Sequence, residues 1–178
     1  NRGFCVAVNA GIKAAKTDYV ILLNNDVMVE QGFCRALEKA LDENPKAFSA
    51  GAQMRMMKNP DYMDNAGDYY CALGWAYDYG KGRKVGEKYQ SPRKVFAACA
   101  GAAIYRKSIL DEIGLFDEMH FAYLEDVDIM DGTLFYYLGG YNRYWNNWQG
   151  DELNIVGSYE MIFRLPPVPM KGIYEIRY

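Results

Sequence analysis

The segment Tyr19 to Glu30, YVILLNNDVMVE, constrains the fold most, because an unbroken apolar run in it ends abruptly on polar residues. The run from Tyr19 to Leu23 has the length and composition of a β-strand. It lacks the alternation of apolar and polar residues that is typical of a strand with one solvent-exposed face. A helical stripe of apolar residues precedes it, from Phe4 to Ala15, and another follows it. A strand packed on both faces between helices predicts an α/β fold.

Further segments are predicted from periodicity and from helix-breaking residues. They are, in chain order, a helix that begins near Val29 and ends before Pro45, a strand over Ala47 to Met57, an irregular functional loop over Lys58 to Lys94, a small-residue strand or turn over Val95 to Tyr105, and a short helix over Lys107 to Glu112. Apolar residues alternate after Leu153, which predicts a β-hairpin-rich tail. The composition changes near residue 130, so the expected boundary separates residues 1–130 from 131–178.

Charge, cysteine spacing and the length of the apolar stretches indicate which partners and which compartment to expect. The net charge is -3 and the pI about 5.2, and no basic stripe is present, so we expect no nucleic-acid partner. The four cysteines show no C-x-x-C spacing and are interpreted as reduced core residues: Cys5, Cys34, Cys71 and Cys99. No apolar stretch is long enough to span a bilayer. We therefore expect a soluble chain in a reducing compartment, the cytoplasm, with any membrane association supplied by regions outside this sequence.

Asp26 lies directly after the predicted buried strand. In open α/β sheets, ligands bind beyond the carboxyl ends of strands, and a carboxylate there can hold a divalent cation. The alternative is that Asn24, Asn25 and Asp26 only cap the helix expected near Val29, since Asn and Asp are preferred capping residues. The residues alone leave both interpretations open.

A second acidic cluster, in YLEDVDI, places Glu125, Asp126 and Asp128 close together after an aromatic approach. A carboxylate near apolar surface has a raised proton affinity and can act as a general base toward a hydroxyl. The alternative is an exposed acidic helix start, which the helix dipole favours. Nearby, His120 is interpreted as structural, and Arg106 and Lys107 either contact phosphate or are exposed charges at a helix start.

The chain closely resembles the inverting glycosyltransferases of family 2, which have the GT-A fold, over Asn1 to about Ile129. Two blocks carry this resemblance: NRGFCVAVNAGIKAAKTDYVILLNNDVMVEQGF and CAGAAIYRKSILDEIGLFDEMHFAYLEDVDI. The resemblance implies a partial GT-A, Rossmann-like mixed sheet flanked by helices. It also implies an enzyme that transfers a sugar from a nucleotide-sugar donor to a hydroxyl of a glycan or lipid-linked acceptor.

Particular residues match the family's motifs. LLNNDV resembles the D-x-D-type motif, so Asp26 is expected to ligate Mn or Mg, with Asn24 in place of the usual first acid. Glu125 and Asp126 resemble the E-D motif that supplies the base, with Asp126 preferred. By the same comparison Asn9, Gly11 and Asn25 belong to the donor side, and the acceptor side comprises Ala100, Gly101, Ala102 and, more weakly, Asp64. This assignment requires Asp26 and Asp126 to face one shared cavity.

Two departures from the family shape the expectations. The two β-α units with which members begin, including an aspartate that holds the base, have no counterpart before Asn1. We therefore expect a truncated chain that is inactive alone and binds nucleotide sugars weakly or not at all. The tail, from GSYEMIFRL onward, weakly resembles fasciclin-type surface lipoproteins of gut bacteria. A non-enzymatic carbohydrate-binding or adhesion fragment and a nucleotidyltransferase of similar fold remain the alternatives.

Overall fold

The structure is a computed structural model that describes residues 2–70, 75–121 and 123–130. The predicted tail, 131–178, and Cys71 lie outside the described residues. The helices are α1 (Phe4–Ala14), α2 (Phe33–Asp42) and α3 (Lys107–Ile113), with a 3₁₀ turn over Glu87–Tyr89, and residues 125–130 are also helical. The strands are β1 (Tyr19–Leu23), β2 (Ser49–Gly51), β3 (Met54–Met56), β4 (Asn59–Asn65), β5 (Asp68–Tyr70), β6 (Ala76–Asp78) and β7 (Ala102–Arg106).

A three-stranded sheet in the order β1-β7-β2 forms the centre of the described fold, and both pairings are antiparallel. The alternation of side chains along β1 sends Val20 and Leu22 to one core, which α1 and α3 also contribute to. Tyr19 and Ile21 face a second core under α2. The prediction of an α/β fold with β1 packed on both faces is therefore confirmed.

The helix expected near Val29 begins later, at Phe33. Gly32 precedes it with φ 87°, a left-handed conformation that glycine adopts readily and that ends the extended segment before the helix. The capping alternative for Asn24, Asn25 and Asp26 is therefore wrong, because the helix starts well beyond them. The predicted helix at Lys107 is confirmed as α3, and the predicted first helix as α1.

The predicted single strand over Ala47 to Met57 and the predicted irregular loop over Lys58 to Lys94 are both wrong. The first divides into β2 and β3, and the second contains the hairpin partner β4, the pair β5-β6 and the 3₁₀ turn. The break between β2 and β3 coincides with Gln53, whose side-chain amide donates to Tyr89 O at 2.9 Å. A long-range contact of this kind is invisible to local patterning, so periodicity alone misses the division.

Arg106 plays neither role considered for it. Its guanidinium donates to Ala47 O at 2.8 Å, to Leu41 O at 2.7 Å and to the Tyr19 hydroxyl at 3.1 Å. It thus satisfies carbonyls at the end of α2 and before β2, and ties both to β1. Lys107 forms an ion pair with Asp111 at 2.7 Å on the surface.

Candidate active site

The turn at residues 99–101 is where the end of β1 meets the acidic helix start. The backbone N–H of Asn24 donates to Gly101 O at 2.9 Å, which continues the pairing of β1 beyond its last residue. A Cβ on Gly101 would lie 3.4 Å from Asn24 Nδ2 and 3.7 Å from Cys99 Sγ. The Asn24 side chain therefore lies directly against this turn.

Asp126 is fixed to the same turn by backbone donors. Ala100 N–H donates to Asp126 Oδ2 at 3.1 Å, and Val127 N–H donates to Oδ1 at 2.9 Å. Burial raises the pKa of the Asp126 carboxyl above its usual value, while these two backbone hydrogen bonds act to lower it. The result is a half-buried carboxylate in a defined orientation with enhanced basicity.

Sequence reasoning missed Asp68, which also belongs to this region. Asp68 is only 5% exposed, and Asn65 Nδ2 donates to its Oδ1 at 2.6 Å. Burial raises its pKa to about 7, and the nearby Asp126 adds to this effect. The residues before it, Asn65 to Gly67, indicated a turn, but the burial of Asp68 comes from contacts with residues distant in sequence.

One carboxylate oxygen each from Asp68 and Asp126 and the Sγ of Cys99 all lie within 4.8 Å of one another. This spacing could accommodate a cation, but the donor chemistry suits Mn²⁺ or Mg²⁺ poorly. Burial raises the pKa of the Cys99 thiol to about 12, so it is neutral at physiological pH. Hard divalent cations prefer oxygen ligands, whereas the thiolate is the form of cysteine that binds metal. We therefore describe these three residues as the carboxyl cluster, and do not assign them as metal ligands.

Glu125 is the other acid of the E-D pair and has different surroundings. It is 8% exposed, so the alternative of an exposed acidic helix start is wrong for this residue. Burial raises the pKa of Glu125, and the nearby His120 acts to lower it. Burial also raises the pKa of Cys5, and the negative charge of Glu125 adds to that effect. Among the described residues its Oε2 has no hydrogen-bond partner. These neighbours are different from those of Asp126.

Asp26 is exposed in the turn after β1, as are Asn24 and Asn25. Within residues 2–70, 75–121 and 123–130, no ion pair engages the Asp26 carboxylate. An accessible carboxylate at the end of a strand fits a hard divalent cation that keeps part of its water and binds phosphate oxygens. Of the predicted site residues, Asp26 is thus the one whose surroundings suit Mn or Mg.

The structure gives Asn9 a packing contact. Asn9 is 3% exposed, its Nδ2 donates to Phe116 O at 2.8 Å, and its Oδ1 accepts from Phe116 N–H at 3.1 Å. It thereby fixes α1 to the turn after α3. Gly11 is exposed, with open space where a Cβ would lie. The donor-side role of both residues stays a prediction.

Three of the predicted acceptor-side residues belong to the 99–101 turn or follow it, and Asp64 lies on another element. Ala100 and Ala102 are each 2% exposed, so of these three residues only Gly101 is partly accessible. Asp64 lies on β4 with its Oδ1 4.0 Å from Lys81 Nζ.

The prediction that the cysteines lie in the core is wrong for Cys34, which is exposed on α2, whereas Cys5 is buried as predicted. Cys34 does not belong to the apolar stripe of α2, whose buried residues are Leu37 and Leu41.

A cleft of about 950 Å³ lies elsewhere, between α2, the β2 segment and residues 89–98. Neither Asp26 nor Asp126 lines it. It reaches Gly67 and Phe96 to Ala98, which are the residues behind Asp68. The cleft therefore does not supply the shared cavity expected between Asp26 and Asp126. The two acidic segments instead meet at the 99–101 turn, which contacts Asn24, two residues before Asp26, and Asp126.

The chain matches the family model described as glycosyl transferase family 2 over residues 1–114. This match spans more than half of the chain, which therefore belongs to that family and carries a domain of the transferase class. Glu125 and Asp126 lie beyond the matched residues. No curated protein matches the chain. Among the described residues, no helix has the length and apolar character needed to cross a bilayer.

Gly67 precedes Asp68 in a turn that packs tightly against Val95, and its replacement tests this packing. Gly67 has φ 106°, and a Cβ there would lie 2.3 Å from Val95 Cγ1. We expect Gly67→Ala to lower the free energy of unfolding by about 2–4 kcal/mol, from overpacking and from backbone strain. Gly86→Ala is the control, because its Cβ would meet open space and its backbone is extended. Urea unfolding measures both variants, and equal stability of the two would contradict this account of the turn.

Proposed function

We propose that this domain transfers a sugar from a nucleotide-sugar donor to a hydroxyl of a glycan or lipid-linked acceptor, with inversion at the anomeric carbon and with Mn²⁺ or Mg²⁺ bound. Family membership supports the transfer reaction. The observation that carries the mechanism is the fixed carboxylate of Asp126 at the turn that also contacts the end of β1 through Asn24. We propose a cytoplasmic location, as expected from cysteines kept reduced.

On the donor side, Asn24, Asn25 and Asp26 present exposed amides and a carboxylate at the end of β1. Asp26 would hold the cation, which when bound supplies neutralisation of the charge on the leaving nucleoside diphosphate. No side-chain acid is then required to protonate the leaving group. Asn9 and Gly11 complete the proposed donor side through α1.

Asp126 is the proposed general base. The acceptor oxygen forms a bond to the anomeric carbon while the bond from that carbon to the diphosphate oxygen breaks, and the hydroxyl proton passes to Asp126. The raised pKa of Asp126 strengthens it as a base. Glu125 is the second choice, because it is the more deeply buried of the two and lies near Cys5 and His120.

The acceptor would lie along the turn that contains Ala100, Gly101 and Ala102. Gly101 has no side chain, so its backbone lies close to Asn24 and Cys99. Asp64 is proposed to contact the acceptor from β4. Gly101 is the partly exposed residue of this turn, so a sugar ring would lie against it, beside the base.

The test uses this chain and a version extended at its N-terminus by the two β-α units with which family members begin. Each is supplied with Mn²⁺, with uridine, guanosine or thymidine diphosphate sugars, and with saccharide or lipid-linked acceptors. We expect the extended protein to give a product of inverted anomeric configuration by proton NMR, and the chain alone to be inactive. A product of retained configuration, or no transfer by the extended protein, would contradict the proposal. Micromolar donor affinity of the chain alone, by calorimetry, would contradict the expected need for those units.

A further inference from the structure

Asp68 is a buried acid that no part of the proposed mechanism uses. Its backbone is fixed from two directions: it pairs with Asp78 of β6, and its N–H donates to Ala97 O at 2.9 Å while Phe96 N–H donates to Asp68 O at 2.9 Å. Its carboxyl group is thereby held in the carboxyl cluster, within 4.8 Å of Asp126 and Cys99. These contacts fix the backbone from which the Asp68 carboxyl group reaches the cluster.

A buried and a half-buried carboxyl group this close are costly to ionise together. Their hydrogen bonds show which of them takes the charge. Asp126 accepts from two backbone N–H groups, which stabilise a carboxylate. Asp68 accepts from the Asn65 side chain. The negative charge therefore belongs on Asp126, and the proton on Asp68.

We propose that Asp68 is a positioning residue for the base: by retaining its proton in the resting site, it keeps Asp126 as the single carboxylate of the pair and holds it at the 99–101 turn. The expected effect on catalysis rests on the proposed function. The assignment of the proton to Asp68 and of the negative charge to Asp126 does not. Since Asp68 ionises near pH 7, a second negative charge appears in the cluster above that pH. Repulsion then acts on Asp126 and on the anionic donor, so activity should fall as the pH rises past about 7.

Other titratable groups face the cluster and must be considered in its pH dependence. Asp78 raises the pKa of Asp68, while Lys81, which pairs with Asp78 at 2.6 Å, lowers it. Tyr105 is fully buried and its pKa is raised well above its usual value, so it remains neutral, like the Cys99 thiol. Tyr105 and Cys99 therefore stay neutral at physiological pH, whereas burial places the pKa of Asp68 at about 7.

The first test is a carbon-13 NMR titration of the aspartate carboxyl groups in the full chain, which requires no activity. We expect one carboxyl group to titrate near pH 7, to vanish in Asp68→Asn, and to titrate at lower pH in Asp126→Asn because the neighbouring charge is gone. Asp61→Asn, at an exposed position on β4, is the control and should leave it unchanged. The absence of any aspartate titrating above about pH 5, or a titration unaffected by Asp126→Asn, would overturn the proposal.

Added Mg²⁺ provides a second arm. If the carboxyl cluster binds the cation, Mg²⁺ will shift the Asp68 titration strongly downward, which would overturn the proposal; an unchanged titration supports it. The third arm is the pH profile of transfer by the extended protein, where wild-type activity should fall above about pH 7 and Asp68→Asn should not show this fall. The same profile in both proteins would contradict the positioning role. If the titration is as expected but no transfer occurs, the proposed function is refuted. The assignment of the proton to Asp68 and of the negative charge to Asp126 would still be supported.

Discussion

Asp126→Asn is expected to lower the rate of sugar transfer by roughly 10²- to 10⁴-fold, the range that a positioned general base contributes. The amide cannot accept the acceptor's proton, yet it has nearly the shape of the carboxylate. Donor affinity should change little, because the proposed donor contacts come from the end of β1. The measurement is kcat for transfer in the N-terminally extended protein, alongside the dissociation constant for the nucleotide sugar.

Asp111→Asn is the matched control for this change. Asp111 is exposed on α3 and pairs with Lys107, so its replacement should leave transfer within experimental error. The amide side chain introduced by Asp126→Asn also leaves one backbone donor without an acceptor, at a cost of about 1–3 kcal/mol in stability. Urea unfolding of Asp126→Asn therefore accompanies the assay. Full transfer activity in a folded Asp126→Asn protein would remove the base assignment; if Glu125→Gln then abolished transfer, Glu125 would replace it.

Asp26→Ala is expected to eliminate the dependence of transfer on Mn²⁺ and to lower the rate by roughly 10²-fold or more, since a cation supplies several kcal/mol of charge stabilisation at a phosphate leaving group. Because Asp26 is exposed, stability should remain within about 0.5 kcal/mol of the parent. The measurement is transfer rate as a function of Mn²⁺ concentration.

Asp18→Ala is the control for Asp26→Ala, because Asp18 is also exposed and lies before the opposite end of β1. It should retain both the rate and the Mn²⁺ dependence of the parent. An Mn²⁺ response that survives in Asp26→Ala would show that the cation binds elsewhere, and the carboxyl cluster would then be the next candidate.

The central strand and the helices beside it can be predicted because their signals are local. Tyr19 to Leu23 forms a continuous apolar run, and the stripe from Phe4 continues for several turns, so β1 and α1 are predicted with nearly correct bounds. The start of α2 is missed because it depends on one left-handed glycine, Gly32. Glycine before an apolar stripe is a signal that could have located it.

The carboxyl cluster could not be predicted, since its existence depends on packing between distant segments. Asp68 differs little in sequence context from Asp64, which the family resemblance favours instead, yet Asp64 is partly exposed near Lys81 and Asp68 is buried. The burial arises where β5 meets residues 96–97 and where the 99–101 turn meets Asp126. The family resemblance predicts Asp26 and Asp126 as site residues, whereas only the tertiary structure shows that Asn24 and Asp126 reach one turn.

The acids at 26 and 126 are expected to belong to one site, and paramagnetic broadening by Mn²⁺ in the full chain tests this. With Mn²⁺ on Asp26, the amide signals of Ala100 and Val127, which donate to Asp126, should broaden more than that of Lys107, whose amide bonds to Asp18 O before the other end of β1. Asp26→Ala should abolish this difference. Equal broadening of all three amides, or a pattern unchanged in Asp26→Ala, would contradict the shared site.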